Sequence, residues 1–116
     1  MNTANLGLCR ELYELSGWDG TEHHLSDGYD DYEIQAAEEG GFKDCPLYEL
    51  GYLLQKLPLE VRDFPIQLRP NHLRNLWLCG YKVSQLDFQA DIPEDALCKL
   101  AIELFKQGIL TREERR

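Results

Sequence analysis

Apolar and polar residues alternate strictly from Leu86 to Asp91: Leu86, Phe88 and Ala90 fall on one side, Asp87, Gln89 and Asp91 on the other. That is the period of a strand with one buried face. Past Pro93 the spacing changes, and Leu97, Leu100, Ala101, Leu104 and Phe105 recur as the stripe of an amphipathic helix. Burial of one large aliphatic side chain contributes roughly 1.5–3 kcal/mol, so a stripe this dense belongs to the core. Asp91 and Glu94 have capping-box spacing around Pro93, with Ile92 the alternative cap because a residue before proline avoids helical geometry. Gly108 suits the left-handed position that closes a helix and folds Ile109 back over Leu104. Asp95 with Lys99, and Glu103 with Lys106, are expected as solvated pairs on the outer face.

Leu8, Leu12 and Leu15, with Cys9 beside them, predict a shorter helix that Ser16-Gly17 ends, and Trp18 follows as a large apolar plate. Residues 46–57 predict another, capped by Asp44 or Cys45, opened by Pro46 and stopped by Pro58. Its face is Leu47, Leu50, Leu54 and Leu57, with Leu53 at the edge. Gly51 in its middle costs about 1 kcal/mol relative to alanine and suggests a close neighbour.

After Pro58 the period becomes two. Residues 64–68 predict a first strand, placed at an edge by Pro65. Residues 76–83 predict a second, with Trp77, Cys79, Tyr81 and Val83 on one side and Leu78, Gly80 and Lys82 on the other. Ser84-Gln85 turns it into the third. The expected fold is α+β, with N-terminal helices, a three-stranded antiparallel β-meander and a C-terminal amphipathic helix packed on the sheet. One domain spans 1–116, and 19–44 form an acidic connection.

Charge refines this picture. The net charge is −9. Up to Glu60 there are 13 acidic residues against Arg10, Lys43 and Lys56; beyond it, 8 acids face 9 bases. The acidity belongs to the N-terminal half, which argues against direct nucleic-acid binding there. No apolar run reaches the ~20 residues of a bilayer span, and residues 1–5 do not resemble a signal peptide, so no membrane association and a cytoplasmic location are expected. Cys9, Cys45, Cys79 and Cys98 form no C-x-x-C and read as reduced thiols in apolar surroundings, with Cys45 the most exposed.

Three segments carry a resemblance: residues 9–18 (Cys-Arg-Glu-Leu-Tyr-Glu-Leu-Ser-Gly-Trp), residues 47–58 (Leu-Tyr-Glu-Leu-Gly-Tyr-Leu-Leu-Gln-Lys-Leu-Pro), and residues 90–97 (Ala-Asp-Ile-Pro-Glu-Asp-Ala-Leu) continuing through Ile109-Leu110. In this order they resemble short, uncharacterised open reading frames of bacteriophage and prophage genomes. The acidic stretch between Trp18 and Pro46 departs from that group. The resemblance implies a viral or mobile-element origin and no particular chemistry.

Candidate chemistry is sparse. His23-His24 with Asp27, Asp30 and Asp31 supplies metal-ligand types, but the register fits no calcium loop and a solvated acidic loop is expected instead. His72 has no nucleophile near it in sequence, and Cys79 or Cys98 would reach it only through tertiary folding. Gly40-Gly41 lacks the Lys-Ser or Lys-Thr of a phosphate loop. Neither catalysis nor a cofactor is expected. Trp18, Tyr48, Tyr52, Trp77 and Tyr81 read as core rather than as a base-stacking platform, because no basic groove accompanies them. Arg112, Arg115 and Arg116 read as a solvated tail.

These readings converge on a small acidic binding protein that engages a host or phage protein through Asp19, Glu22, Asp27, Asp30, Asp31, Glu33, Glu38 and Glu39. A sharper form has these carboxylates imitate a DNA backbone and inhibit a nucleic-acid-binding defence enzyme. The rival expectation is a structural homo-oligomer without catalytic activity, its seam formed by Leu47, Leu53 and Leu57.

Overall fold

A computed structural model describes residues 3–21, 23–24, 46–82 and 86–112. In chain order the elements are α1 (Leu6–Ser16), β1 (His23–His24), β2 (Pro46–Leu47), α2 (Leu50–Lys56), β3 (Glu60–Val61), β4 (Phe64–Pro65), β5 (Gln67–Asn71), β6 (Leu76–Gly80), β7 (Asp87–Ala90) and α3 (Pro93–Lys106). The mixed α+β fold, the antiparallel meander β5-β6-β7 and the C-terminal helix against it are as the periodicities predict.

α3 is the central element. Leu97, Leu100, Ala101 and Leu104 are fully buried, as the stripe requires, but so are Ala96 and Cys98 on other faces. The reason is that α3 packs against β6 and β7 on one side and against α1 and α2 elsewhere. Neither expected solvated pair forms, and Asp95, Lys99 and Lys106 instead contact other segments. Asp95 Oδ1 accepts from the Asn5 amide at 2.6 Å. Lys99 Nζ donates to the Gln89 carbonyl of β7, and Lys106 pairs with Glu11 of α1 at 3.3 Å. Glu103 accepts from Gln107. Ile92, not Asp91, occupies the cap position, in extended geometry before Pro93. At the other end Gly108 takes φ +75° and the amides of Ile109 and Leu110 both donate to the Leu104 carbonyl, the closure expected there.

The register of the meander sorts its residues by face. Leu68, Cys79 and Phe88 form one row, and Trp77 and Ala90 another, directed toward α3. The rows Gln67–Gly80–Asp87 and Arg69–Leu78–Gln89 fall on the opposite, outer face. The expected first strand divides in two. Phe64 and Pro65 pair back on Val61 and Glu60 through a tight turn at Arg62 (φ 52°) and Asp63 (φ 70°), while the sheet strand begins later, at Gln67. Two consecutive left-handed residues match the twist of a two-residue hairpin.

Residues 46–49 do not open a helix. Leu47 and Pro46 pair with His23 and His24, the Tyr48 carbonyl accepts from the Ala4 amide at 2.9 Å, and Glu49 bridges to Thr3. An extended segment there finds backbone partners on both sides, so α2 starts only at Leu50. The shortened helix buries Leu53, leaves Leu54 38% exposed and leaves Gly51 with no neighbouring atom within 4 Å of a Cβ position. Among the described residues no close neighbour passes Gly51. Leu47, Leu53 and Leu57 are buried within the chain, which removes them as a subunit seam. In α1 the buried face is Cys9, Leu12 and Ser16, displaced from the expected stripe, of which Leu8 and Leu15 are only partly buried; Gly17 at φ 71° ends the helix.

Candidate functional site

The pairing of His24 with Pro46 brings together the two ends of the acidic stretch. The residues that flank 25–45 in the chain are therefore held side by side. This stretch carries Asp27, Asp30, Asp31, Glu33, Glu38, Glu39 and Asp44 against Lys43 alone.

The base of the stretch is built from aromatic residues. The Tyr48 hydroxyl donates to the Trp18 carbonyl at 2.6 Å, and its ring stacks on Tyr52 with centroids 5.7 Å apart. Lys56 Nζ lies 5.7 Å from the centroids of both Trp18 and Tyr52. Trp18 meets Phe105 of α3 edge-on at 5.1 Å, which ties this base to the central helix. These residues are structural, as their spacing suggests: Trp18 and Tyr48 are buried. Beside them lies a cleft of about 280 Å³ lined by Gly20, Thr21, Leu47, Glu49, Gly51, Tyr52 and Gln55. Its polar groups can orient a bound group.

Asp19 is half-buried directly after Trp18. Of the other residues expected to engage a partner, Glu22, Asp27, Asp30, Asp31, Glu33, Glu38 and Glu39 lie outside the described residues, as does Cys45. So do Ser84-Gln85, Val83, Arg115 and Arg116. For the His23-His24 metal reading, only the backbone of the two histidines is described. Among the described residues no group of three or more His, Cys, Asp or Glu side chains is placed to hold a metal ion.

The tertiary structure does not bring His72 and the cysteines together. His72 is exposed in the β5–β6 turn, whereas Cys79 sits further along β6 opposite Leu68, and Cys98 donates its thiol to the Leu8 carbonyl on the α1 side of α3. Burial, and secondarily the nearby Asp87 carboxylate, push the Cys79 thiol up to about 12. Such a thiol stays protonated near neutrality and is a poor nucleophile. Cys9, Cys79 and Cys98 are buried thiols, and the Cys9 thiol donates to the Ala4 carbonyl.

A second surface was not legible from the sequence. On the described helical side each cation has an intramolecular contact: Arg10 with Glu14, Lys56 with two rings, Lys99 with Gln89, Lys106 with Glu11, and Arg112 with the Glu14 carbonyl. The side chains of Arg62, Arg69, Arg74 and Lys82 are exposed and, among the described residues, make no hydrogen bond, ion pair or ring contact. Arg69 and Lys82 line a shallow depression of about 160 Å³ on the outer sheet face, with Gln67, Leu78, Gly80 and Asp87. The polar positions Gln67, Arg69 and Asn71 alternate along β5, but a strand placed at 64–68 hides that signal.

Comparison with protein-family models, with curated proteins and with solved structures returned no match.

Proposed function

We propose that this chain is a small non-catalytic binding protein of bacteriophage or prophage origin, acting in the host cytoplasm, whose acidic stretch engages a host or viral protein. The observation that supports this reading is the closed base. Strands β1 and β2 join the ends of a stretch with seven carboxylates and one lysine, and hydrogen bonding and ring packing hold that base to α3. A stretch whose flanks are anchored on a packed scaffold is a common arrangement for recognition. Its carboxylates suit a basic groove of a nucleic-acid-binding enzyme, where they stand in for phosphates and block the substrate.

The test is affinity capture of the tagged chain from bacterial lysate at low salt, with elution by raised salt. The expected result is a stoichiometric basic protein that is released by moderate salt and is no longer captured by the variant Asp27→Asn/Asp30→Asn/Asp31→Asn/Glu33→Gln. Capture of nothing, or capture unchanged by that variant, overturns the proposal. A thermal melt of the variant within a few degrees of the parent separates lost binding from lost folding.

A further inference from the structure

We propose that the outer face of the β5–β6–β7 sheet is a second docking surface, and that its occupant is an extended acidic polypeptide segment of a partner protein. Three features converge on it. The face is not covered by any described element, because α3 occupies the other side of the sheet. Leu76 and Leu78 are half-exposed along its middle strand, flanked by the polar side chains of Gln67, Asn71 and Gln89. Its cations are uncompensated: Arg69 on β5, Lys82 just past β6 and Arg74 in the connecting turn have no anionic partner among the described residues, in a chain where acids outnumber bases 21 to 12. Asp87 is the one carboxylate that shares the depression with Arg69 and Lys82.

The arrangement suits an extended chain. β5 and β6 are five residues each, so the hairpin is roughly 17 Å long at ~3.3 Å per residue. Arg74 stands at its turn, Arg69 midway and Lys82 past its open end. A strand-like segment presents alternate side chains on one side about every 7 Å. Carboxylates at such positions reach these cations, with apolar side chains of the same segment over Leu76 and Leu78. A nucleic acid fits less well. Single-strand binding relies on aromatic stacking platforms, and the outer-face positions of this sheet carry none.

The surface is independent of the acidic stretch, so its test uses different variants. A fluorescein-labelled decaglutamate peptide and a labelled decathymidylate are titrated with the full chain at low salt, read by fluorescence anisotropy, with amide NMR shifts as the map. Decaglutamate is expected to bind, to shift the amides of Leu76, Leu78 and Arg69, and to lose affinity about threefold to tenfold in Arg69→Gln/Lys82→Gln. Lys106→Gln, on the α1 side, is expected to bind as the parent does. Absence of decaglutamate binding, equal affinity in the double variant, or tighter binding of decathymidylate overturns the proposal. Capture of a basic protein through the acidic stretch is unaffected by any of these results.

Discussion

The Tyr48 hydroxyl donates a 2.6 Å hydrogen bond to the carbonyl oxygen of Trp18, thirty residues earlier, and both residues are buried. One lies just before the acidic stretch and the other just after it, so this bond reinforces the β1–β2 ladder in closing the base. Tyr48→Phe keeps the ring stacked on Tyr52 but leaves a buried carbonyl unpaired. The expected loss is about 1–3 kcal/mol of stability, measured as a lower urea midpoint with unchanged m-value.

Gly51 is an exposed glycine within α2, with open space where a Cβ would stand. Gly51→Ala is expected to stabilise the chain by up to about 1 kcal/mol, seen as a higher melting temperature. A lower one would mean that the glycine's freedom serves something else.

Gly80 has the opposite surroundings. A Cβ there would overlap the Asp87 carboxylate and the Leu86 carbonyl, backbone of the neighbouring strand that cannot swing away as a flexible side chain does. Gly80→Ala is expected to cost about 1–3 kcal/mol. Amide exchange should show the loss concentrated in the β6–β7 pairing.

Alkaline stability follows from Cys79. Its thiol ionises at about 12 in the folded chain against an ordinary value of 9.0, chiefly through burial. The folded state therefore holds this proton more tightly than the unfolded state. The corresponding stability is complete below pH 9.0 and is lost as pH rises toward about 12. Tyr81, whose hydroxyl donates to the Pro58 carbonyl, is pushed in the same direction by burial and by Cys79. Urea midpoints across that window should fall with pH, and Cys79→Ala should flatten the fall; an unchanged slope would assign it to other groups.

Leu104 and Leu73 give a contrast at constant residue type. Leu104 is fully buried in the core and Leu73 is 99% exposed in the β5–β6 turn. Leu104→Asp places an unpaired charge in the core and is expected to unfold the chain, since total stability is only about 5–15 kcal/mol. Leu73→Ser is expected to change stability by less than about 0.5 kcal/mol in a thermal melt.

Much of the architecture was legible as local pattern. Alternation at Leu86–Ala90 and the stripe from Leu97 to Phe105 specify a strand and a helix because burial of one face selects the period of two or of 3.6. Gly17 and Gly108 mark helix ends because the left-handed positions there disfavour a Cβ. The aromatic residues at core spacing are packed as that spacing suggests.

Tertiary structure alone decided the rest. Pro46 and Leu47 have the local signals of a helix start, yet they extend because His23, His24 and Ala4 offer hydrogen-bond partners at that point in space. Asp95 and Lys99 have the spacing of a helical ion pair, yet each turns to a neighbouring element because α3 is enclosed. Arg69, Arg74 and Lys82 are unremarked in a half of the chain whose charges nearly balance; they become one surface only when two strands lie side by side. By itself the sequence determined which residues are buried by period and where the helices end, since these depend on neighbours a few positions away. Pairing partners, enclosure and the segregation of charge depend on residues tens of positions apart, and only the packed chain sets them.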